Sequence, residues 1–104
     1  MLVQTTWKSR PLSPEQANRM MSTWGKIEAR MAEDPNLERI NWYINADASG
    51  GSTVVRAADG DAAHQFSLEI SLALSEFLEL ESRVVLELET AMPGILKGME
   101  YING

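Results

Sequence analysis

The chain has 104 residues, of which 44% are hydrophobic and 23% charged, a composition typical of a folded globular domain rather than a disordered segment. Its formal net charge of −6 argues against a nucleic-acid partner and against an anionic membrane surface, since both require a surplus of lysine and arginine. There is no cysteine, which excludes disulfides, thiolate catalysis and cysteine-ligated metals. The length predicts one domain over residues 1–104.

The beginning of the chain predicts no targeting segment. Residues 1–11 alternate between apolar and polar side chains and lack the unbroken apolar stretch of a signal peptide. No stretch approaches the roughly 20 apolar residues that span a bilayer. We therefore expect a cytoplasmic protein without a membrane partner.

The first third of the chain predicts a strand followed by a long helix. Residues 2–8 are rich in β-branched and aromatic types, which favour a strand. The segment Ser13-Pro14-Glu15-Gln16 is a strong helix start, with serine as the N-cap, proline at the first helical position and glutamine three residues after the cap. Apolar residues then keep helical spacing to about Glu33, and Asp34-Pro35-Asn36 ends the helix.

The rest of the chain predicts two strands, a second helix, a fourth strand and a last helix. A glycine-rich loop over residues 47–51 separates two strands, and an aspartate of the turn at residues 59–61 caps a second helix. Pro93 fits the first turn of a last, short helix. The predicted ranges are a strand over residues 37–45, a strand over 52–57, a helix ending near Phe77, a strand over 79–89 and a helix over 93–101.

This order predicts a ferredoxin-like α+β fold, βαββαβ, with a four-stranded antiparallel sheet, two helices on one face and a short C-terminal helix. Two helices cover only one face of such a sheet, so the apolar side of each strand is expected beneath them. Those residues are Val3, Thr5 and Trp7; Ile40, Trp42 and Ile44; Val55 and Ala57; Val84, Leu86 and Leu88. The residues expected on the open face are Gln4, Thr6, Lys8, Arg39, Asn41, Tyr43, Val54, Arg56, Glu81, Arg83, Val85, Glu87 and Glu89.

The open face has two interpretations. It could be solvated, as one face of many antiparallel sheets is. It could also meet its own copy across a two-fold axis, where its charges of both signs would pair. The residue pattern alone slightly favours the solvated face.

The element order, the early tryptophan Trp7 and the second-strand tryptophan Trp42 resemble the dimeric α+β barrel superfamily. So does the run from Val54 to Asp59 leading through Asp61-Ala62 to Phe66. More narrowly, four segments resemble an uncharacterised family of small bacterial proteins: Thr6-Trp7-Lys8, Leu12 to Gln16, Trp42-Tyr43 and Met99-Glu100-Tyr101. The resemblance covers essentially the whole chain.

The resemblance implies a homodimer whose sheets pack face to face, and it shifts the expectation for the open face toward a dimer interface. Superfamily enzymes, such as cofactor-independent monooxygenases, small isomerases and haem-degrading oxygenases, commonly use a cavity between helices and sheet. None of their catalytic motifs matches this sequence residue by residue. Thr5 stands in the first strand where the haem-degrading pattern would want an asparagine.

Three tryptophans, Trp7, Trp24 and Trp42, are expected to project into the layer between helices and sheet. Aromatic residues at structural spacing usually belong to the core, and that interpretation is favoured here. Alternatively, their bulk leaves an imperfectly filled cavity that binds a flat organic ligand. We predict an apolar pocket walled by all three.

Glu28 and Tyr43 are the two candidates for proton transfer. Glu28 falls inside the apolar stripe of the first helix, where burial disfavours a charged carboxylate and could produce a general base. Structural alternatives are favoured: the carboxylate accepts an indole N–H, or the helix rolls and the side chain reaches solvent. His64 is expected to be exposed on the outer side of the second helix.

The acidic residues Glu76, Glu79 and Glu81 have no metal-ligand spacing, so no metal site is predicted. We also predict no cofactor. The favoured function is a homodimeric small-molecule-binding or self-association module, with Trp7, Trp24, Trp42 and Glu28 as ligand-binding residues. The alternative is a cofactor-independent monooxygenase- or isomerase-like enzyme that uses the pocket between helices and sheet.

Overall fold

The structure is a computed structural model that describes all 104 residues, and it contains four strands and three helices. In chain order they are β1 (Leu2–Ser9), α1 (Pro14–Glu33), β2 (Leu37–Ile44), β3 (Gly50–Ala57), α2 (Gly60–Leu74), β4 (Leu78–Val85) and α3 (Leu88–Asn103). The strands form one sheet in the order β2-β3-β1-β4, and every neighbouring pair is antiparallel. The predicted ferredoxin-like α+β fold is confirmed.

The first two helices, α1 and α2, begin where their capping residues predict. The Ser13 hydroxyl accepts from the Gln16 backbone N–H, and the Gln16 side chain accepts from the Ser13 backbone N–H. This capping box satisfies two N–H groups that the first turn of α1 leaves without helical partners. Asp59 does the same for α2 by accepting from the Ala62 backbone N–H.

α1 and α2 cover the same face of the sheet but bury very different amounts of side chain. α2 packs over β3 and β4, and α1 lies beside α2 and over β2. The buried apolar residues are Val3, Trp7, Met31, Val55, Ala57, Ala63, Phe66, Ile70, Leu74, Phe77 and Leu78. Four of these belong to α2, whereas Met31 is the single buried residue of α1.

The predicted facing of Arg39 and Ile40 is wrong because β2 contains a bulge. Arg39 pairs with Val55 and Asn41 with Val54, so the ladder skips Ile40. An extra residue in one strand resets the alternation of side chains. Arg39 therefore turns toward the helices, together with Trp42, while Ile40 is exposed.

The predicted end of the fourth strand is also wrong. β4 stops at Val85 because Val85 pairs with Leu2, the first residue of β1, and no strand lies alongside the residues that follow. Leu86 and Leu88, predicted beneath the helices, are exposed.

The last helix begins at Leu88 rather than at Pro93. Pro93 consequently lies inside α3, where its nitrogen cannot donate to the carbonyl of Glu89. The second helix ends at Leu74, three residues before the predicted end.

α3 projects from the rest of the molecule. None of its residues is buried, and no other element packs along it. The Cα radius of gyration is 16.5 Å, against the roughly 13 Å expected of a compact domain of this length. The long axis reaches 59 Å, twice the next extent of 30 Å. None of the three helices combines the length and the apolar character that crossing a bilayer requires.

Candidate functional site

A cavity of about 390 Å³ lies between α1 and the sheet, at the end of the sheet that carries the β2–β3 hairpin. All three tryptophans line it, and eight of its twelve lining residues are hydrophobic. We call it the tryptophan pocket. Its lining residues are Trp7, Ser9, Met20, Met21, Trp24, Gly25, Glu28, Trp42, Ile44, Ala48, Gly50 and Leu78.

The three indoles form one continuous aromatic group. Trp24 meets Trp7 edge to face, with ring centroids 5.2 Å apart and planes at 70°. On its other side Trp24 stacks on Trp42, with centroids 5.5 Å apart and planes at 10°. Both arrangements are favoured by the aromatic quadrupole. Trp7 is 7% exposed and Trp42 is 40% exposed, so the group runs from the core to solvent.

Gly51 lets Trp7 occupy its position. The two residues are paired across β3 and β1, and a Cβ on Gly51 would overlap both the Trp7 ring and the Tyr43 carbonyl oxygen. With no side chain there, the large indole lies over the β3 backbone. The position of Trp7 in the lining of the tryptophan pocket thus depends on the absence of a side chain at Gly51.

Glu28 accepts hydrogen bonds from two groups in this layer. The Trp24 indole Nε1 donates to Glu28 Oε1 at 3.2 Å, and Arg39 Nη2 donates to the same oxygen at 2.6 Å. The predicted indole–carboxylate contact is therefore present. Arg39 and Glu28 thus form a half-buried ion pair, with side chains 20% and 31% exposed respectively. Glu28 is therefore paired with a cation rather than isolated in an apolar layer.

Arg39 is the site residue that the sequence pattern missed. Its guanidinium lies over the Trp42 ring, 4.3 Å from the centroid, in a cation–π contact. Two of its nitrogens, Nε and Nη1, are buried without a hydrogen-bond acceptor. The sequence does contain a signal for this. Leu37 and Arg39 occupy odd positions of β2, whereas Trp42 and Ile44 occupy even positions, so all four can face the helices only if one residue between them is skipped.

The other oxygen of Glu28, Oε2, accepts no hydrogen bond within the chain. Glu28 lines the tryptophan pocket, and a carboxylate oxygen without an internal donor can accept from a hydroxyl or N–H of a bound molecule. The arrangement combines flat apolar walls with one anionic acceptor.

The hairpin that borders the pocket is held by its own side chains. Asp47 accepts from the backbone N–H of Ser49, and Ala48 has a positive φ of 62°. Hydrogen bonds from the Ser49 side chain and backbone hold the pKa of Asp47 below its ordinary value. This bonding places Ala48 and Gly50 at the rim.

Tyr43 does not converge with Glu28. It lies on the opposite face of β2 from Trp42 and is 66% exposed on the open side of the sheet. The two candidates for proton transfer are thus separated by the sheet itself. One chain cannot bring both to the same substrate.

His64 and the acidic residues lie apart from the tryptophan pocket. His64 is exposed on α2, as predicted. Glu76, Glu79 and Glu81 each form an ion pair with an arginine. No group of three or more histidine, cysteine, aspartate or glutamate side chains is placed to hold a metal ion.

A second hollow, of about 590 Å³, lies against Thr6, Lys8, Glu79 and Glu81. Only two of its eight lining residues are hydrophobic. It is larger than the tryptophan pocket, but its walls are mostly charged or polar side chains on the open face. Apolar walls with a few polar groups are the usual signature of a small-molecule site, so we favour the tryptophan pocket.

No protein-family model and no curated protein matches the chain. Solved structures do. SnoaB, a cofactor-independent oxygenase from Streptomyces nogalater, aligns with a TM-score of 0.58 at 14% identity, over 84% of this chain and 94% of that one. A candidate antibiotic biosynthesis monooxygenase from Nitrosomonas europaea aligns with a TM-score of 0.59 at 10% identity, over 85% and 99% respectively.

A third solved structure shares this fold. The C-terminal segment of the alpha subunit of aIF2 from Pyrococcus abyssi aligns with a TM-score of 0.56 at 11% identity, over 83% of this chain and 52% of that one. Identities this low show the fold and not an activity. The chain shares a ferredoxin-like α+β fold with these structures, as its element order predicted.

Proposed function

We propose that residues 1–104 form one domain, a homodimeric module that binds a small, flat, apolar molecule in the tryptophan pocket. The observation that carries the proposal is the group of three indoles around a mostly apolar cavity. Its volume of about 390 Å³ lies in the range of small-molecule sites, about 300–1,000 Å³. Neither a cofactor nor a metal enters the proposal.

The pocket favours an aromatic ligand with one hydrogen-bond donor. Fused rings pack against indoles in offset-stacked or edge-to-face geometry, and Trp42 lines the cavity while 40% exposed. Glu28 Oε2 would accept from a hydroxyl at the edge of that ring system. A naphthol combines both features and is the simplest probe.

Binding can be measured with the protein's own fluorescence. The chain has three tryptophans, and all three line the pocket. Titration with 2-naphthol, read both as a change in tryptophan emission and by calorimetry, should saturate with one site per chain. A calorimetric titration without saturable heat would contradict the proposal.

Gly25 offers a matched pair of variants. It lines the pocket from α1, and a Cβ there meets nothing within 4 Å. Gly25→Ala adds only a methyl group, whereas Gly25→Leu extends a branched side chain toward the cavity. Both replace glycine within a helix and should stabilise it to a similar degree. We expect the leucine variant to lose naphthol binding at least tenfold relative to the alanine variant; equal affinities would place the ligand elsewhere.

The homodimer would form through the open sheet face. Apolar residues of three strands, Leu2, Val54 and Val85, lie on that face among charges of both signs. The resemblance to the dimeric α+β barrel superfamily supports the same surface. Light scattering should give twice the chain mass of 11.6 kDa.

Val54→Arg tests this surface at its centre, because β3 is an inner strand. Arginine at Val54 should convert the dimer to a monomer by burying an unpaired charge. Ser22→Arg, on the exposed surface of α1, is the control and should leave the mass unchanged. A wild-type monomer at micromolar concentration, or an unaffected Val54→Arg dimer, would contradict the interface.

The alternative is a monooxygenase- or isomerase-like enzyme without a cofactor, and the fold shared with SnoaB supports it. In that case Glu28 would accept the substrate proton through Oε2. Oxygen uptake and product formation with naphthols and larger hydroxylated fused-ring compounds test it. Glu28→Gln should then abolish turnover while retaining naphthol affinity within a few fold, whereas a binding module shows no turnover with either protein.

A further inference from the structure

The terminal helix α3 presents an apolar stripe that nothing in its own chain covers. Leu88, Met92, Ile95, Met99 and Ile102 recur at alternating spacings of four and three, which places them on one side of the helix. All five side chains are substantially exposed. Glu89, Lys97 and Glu100 lie on the other side. Such a helix gains stability only by packing its stripe on another surface.

The area involved matches a stable protein–protein contact. The chain exposes 7188 Å², roughly 1,300 Å² more than a compact monomer of 11.6 kDa is expected to expose. A standard interface buries about 800 Å² on each partner. The surplus is therefore sufficient for a specific dimer.

A complementary surface lies on the same chain, between α2 and the free edge of β4. Ser67 and Ser71 of α2 and Ser82 of β4 line a groove of about 450 Å³, and their small side chains allow a helix to approach closely. Leu68, 57% exposed, and His64 complete its lining. We call this the α2–β4 groove. Leu72, 82% exposed, lies one turn beyond Leu68 on α2. Leu68 in the groove and Leu72 beside it on α2 are the exposed apolar side chains available to the stripe.

The start of α3 places the helix beside the open face. Glu87 forms an ion pair with Arg56, and Arg56 lies on the open side of β3. Val85 ends β4, and only Leu86 and Glu87 separate it from α3. A second copy bound to the open face would therefore lie next to the N-terminal end of α3.

We propose that α3 is an exchanged arm: in a dimer, the apolar stripe of each α3 packs into the α2–β4 groove of the other copy. This inference rests on the homodimer proposed above and adds a second, reciprocal surface to it. At about 1.5 Å per residue, the 16 residues of α3 extend about 24 Å. The exchange would make the two chains mutually dependent for covering their apolar surface.

The chain has no cysteine, so a single cysteine can carry a photo-crosslinker. Ile95→Cys, labelled with a benzophenone maleimide, places the probe at the centre of the stripe. Light and heavy isotope-labelled proteins are mixed, unfolded together, refolded and irradiated. Mass spectrometry should find adducts to residues 64–84 that join a light chain to a heavy one.

Lys97→Cys with the same label is the control, because it lies on the polar side of α3. Its adducts between chains should be several-fold weaker. Adducts confined to one chain would mean that α3 folds back on its own groove and would overturn the exchange. Absent adducts, or adducts to any other segment, would overturn the groove as its docking surface.

A second measurement avoids the bulky label. Ile95→Glu and Met99→Glu should each weaken dimerisation at least tenfold, read by sedimentation, whereas Thr90→Glu on the polar side should change it less than twofold. If Val54→Arg gives a monomer but the adducts are missing, the arm fails and the open-face dimer stands. If the adducts join two chains while Val54→Arg remains dimeric, the open-face interface fails and the arm stands.

Discussion

The two helices that cover the sheet differ in how completely they close their side of the molecule. α2 has 15 residues and buries four, all apolar; α1 has 20 residues and buries one. Phe66 and Ile70 of α2 pack with Val55 of β3 and with Met31 near the end of α1 in one cluster. Beneath α1, three large rings meet around a cavity. The well-packed layer under α2 contributes most of the core, whereas the layer under α1 contains a cavity that can bind a ligand.

The largest expected effect is the loss of a buried ring on the α2 side. Phe66→Ala removes a 5%-exposed side chain and should lower the free energy of unfolding by about 3–5 kcal/mol. Trp42→Ala removes a larger but partly exposed ring and should cost about 1–2 kcal/mol. Urea denaturation measures both. Equal losses would mean that the two halves are equally well packed.

The ion pair beneath α1 should give the next effect. Arg39→Met removes the donor that neutralises Glu28 and should cost about 1–2 kcal/mol, less than a fully buried pair because both side chains retain some exposure. Combining it with Glu28→Gln should recover part of that loss. A coupling energy near zero in the double-mutant cycle would show that the contact contributes nothing to stability.

Substitution of the two N-cap residues should have a smaller effect on stability and should distinguish α1 from α2. Ser13→Ala and Asp59→Ala each remove a side-chain acceptor for an N-terminal amide and should cost about 1 kcal/mol. Because α1 is held by fewer buried side chains, the Ser13 variant should also accelerate amide exchange throughout the first turns of α1. The Asp59 variant should leave exchange in α2 close to the global unfolding limit. The reverse pattern would contradict the contrast between the helices.

Acid should have the smallest effect, acting at the end of α1. The pKa of Asp34 is held below its ordinary value by a hydrogen bond from the Asn36 backbone and by Arg30. A carboxyl with a lowered native pKa stabilises the fold fully above the unfolded value of 3.8, and that contribution disappears as the pH falls through the native pKa. Asp34→Asn should therefore lower stability at pH 7 and flatten the acid-induced loss below about pH 4. The free energy of unfolding is measured by urea denaturation at several pH values. If it falls as steeply below about pH 4 in the variant as in the wild type, the assignment is contradicted.

Local signals predicted most of the fold. Ser13 was predicted to cap α1, and an aspartate of the turn at residues 59–61 to cap α2; Ser13 and Asp59 do so. The three tryptophans were predicted to meet in one layer, and their centroids lie within 5.5 Å of a neighbour. Each of these features is decided within a few residues of chain or by the element order.

Features that depend on a distant partner were missed. The end of β4 is set by where β1 begins, some 80 residues earlier in the chain. A prediction from alternating residues assumes that every residue of a strand pairs in turn. Because the pairing skips Ile40, that prediction placed Arg39 on the wrong face of the sheet. Pro93 is acceptable at a first turn, which concealed the earlier start of α3 at Leu88.

The bulge in β2 bears on aggregation as well as on the Glu28–Arg39 contact. β2 is an outer strand whose far side has no neighbour, and a regular outer strand can template the addition of another chain. Skipping Ile40 disrupts the even spacing of amides and carbonyls that a growing fibril would need. Deleting Ile40 would leave Arg39 opposite Val55 and Asn41 opposite Val54, now in an uninterrupted ladder. We therefore expect this variant to keep the Glu28–Arg39 contact but to gain a regular, unpaired strand edge, so that insoluble protein is the expected product.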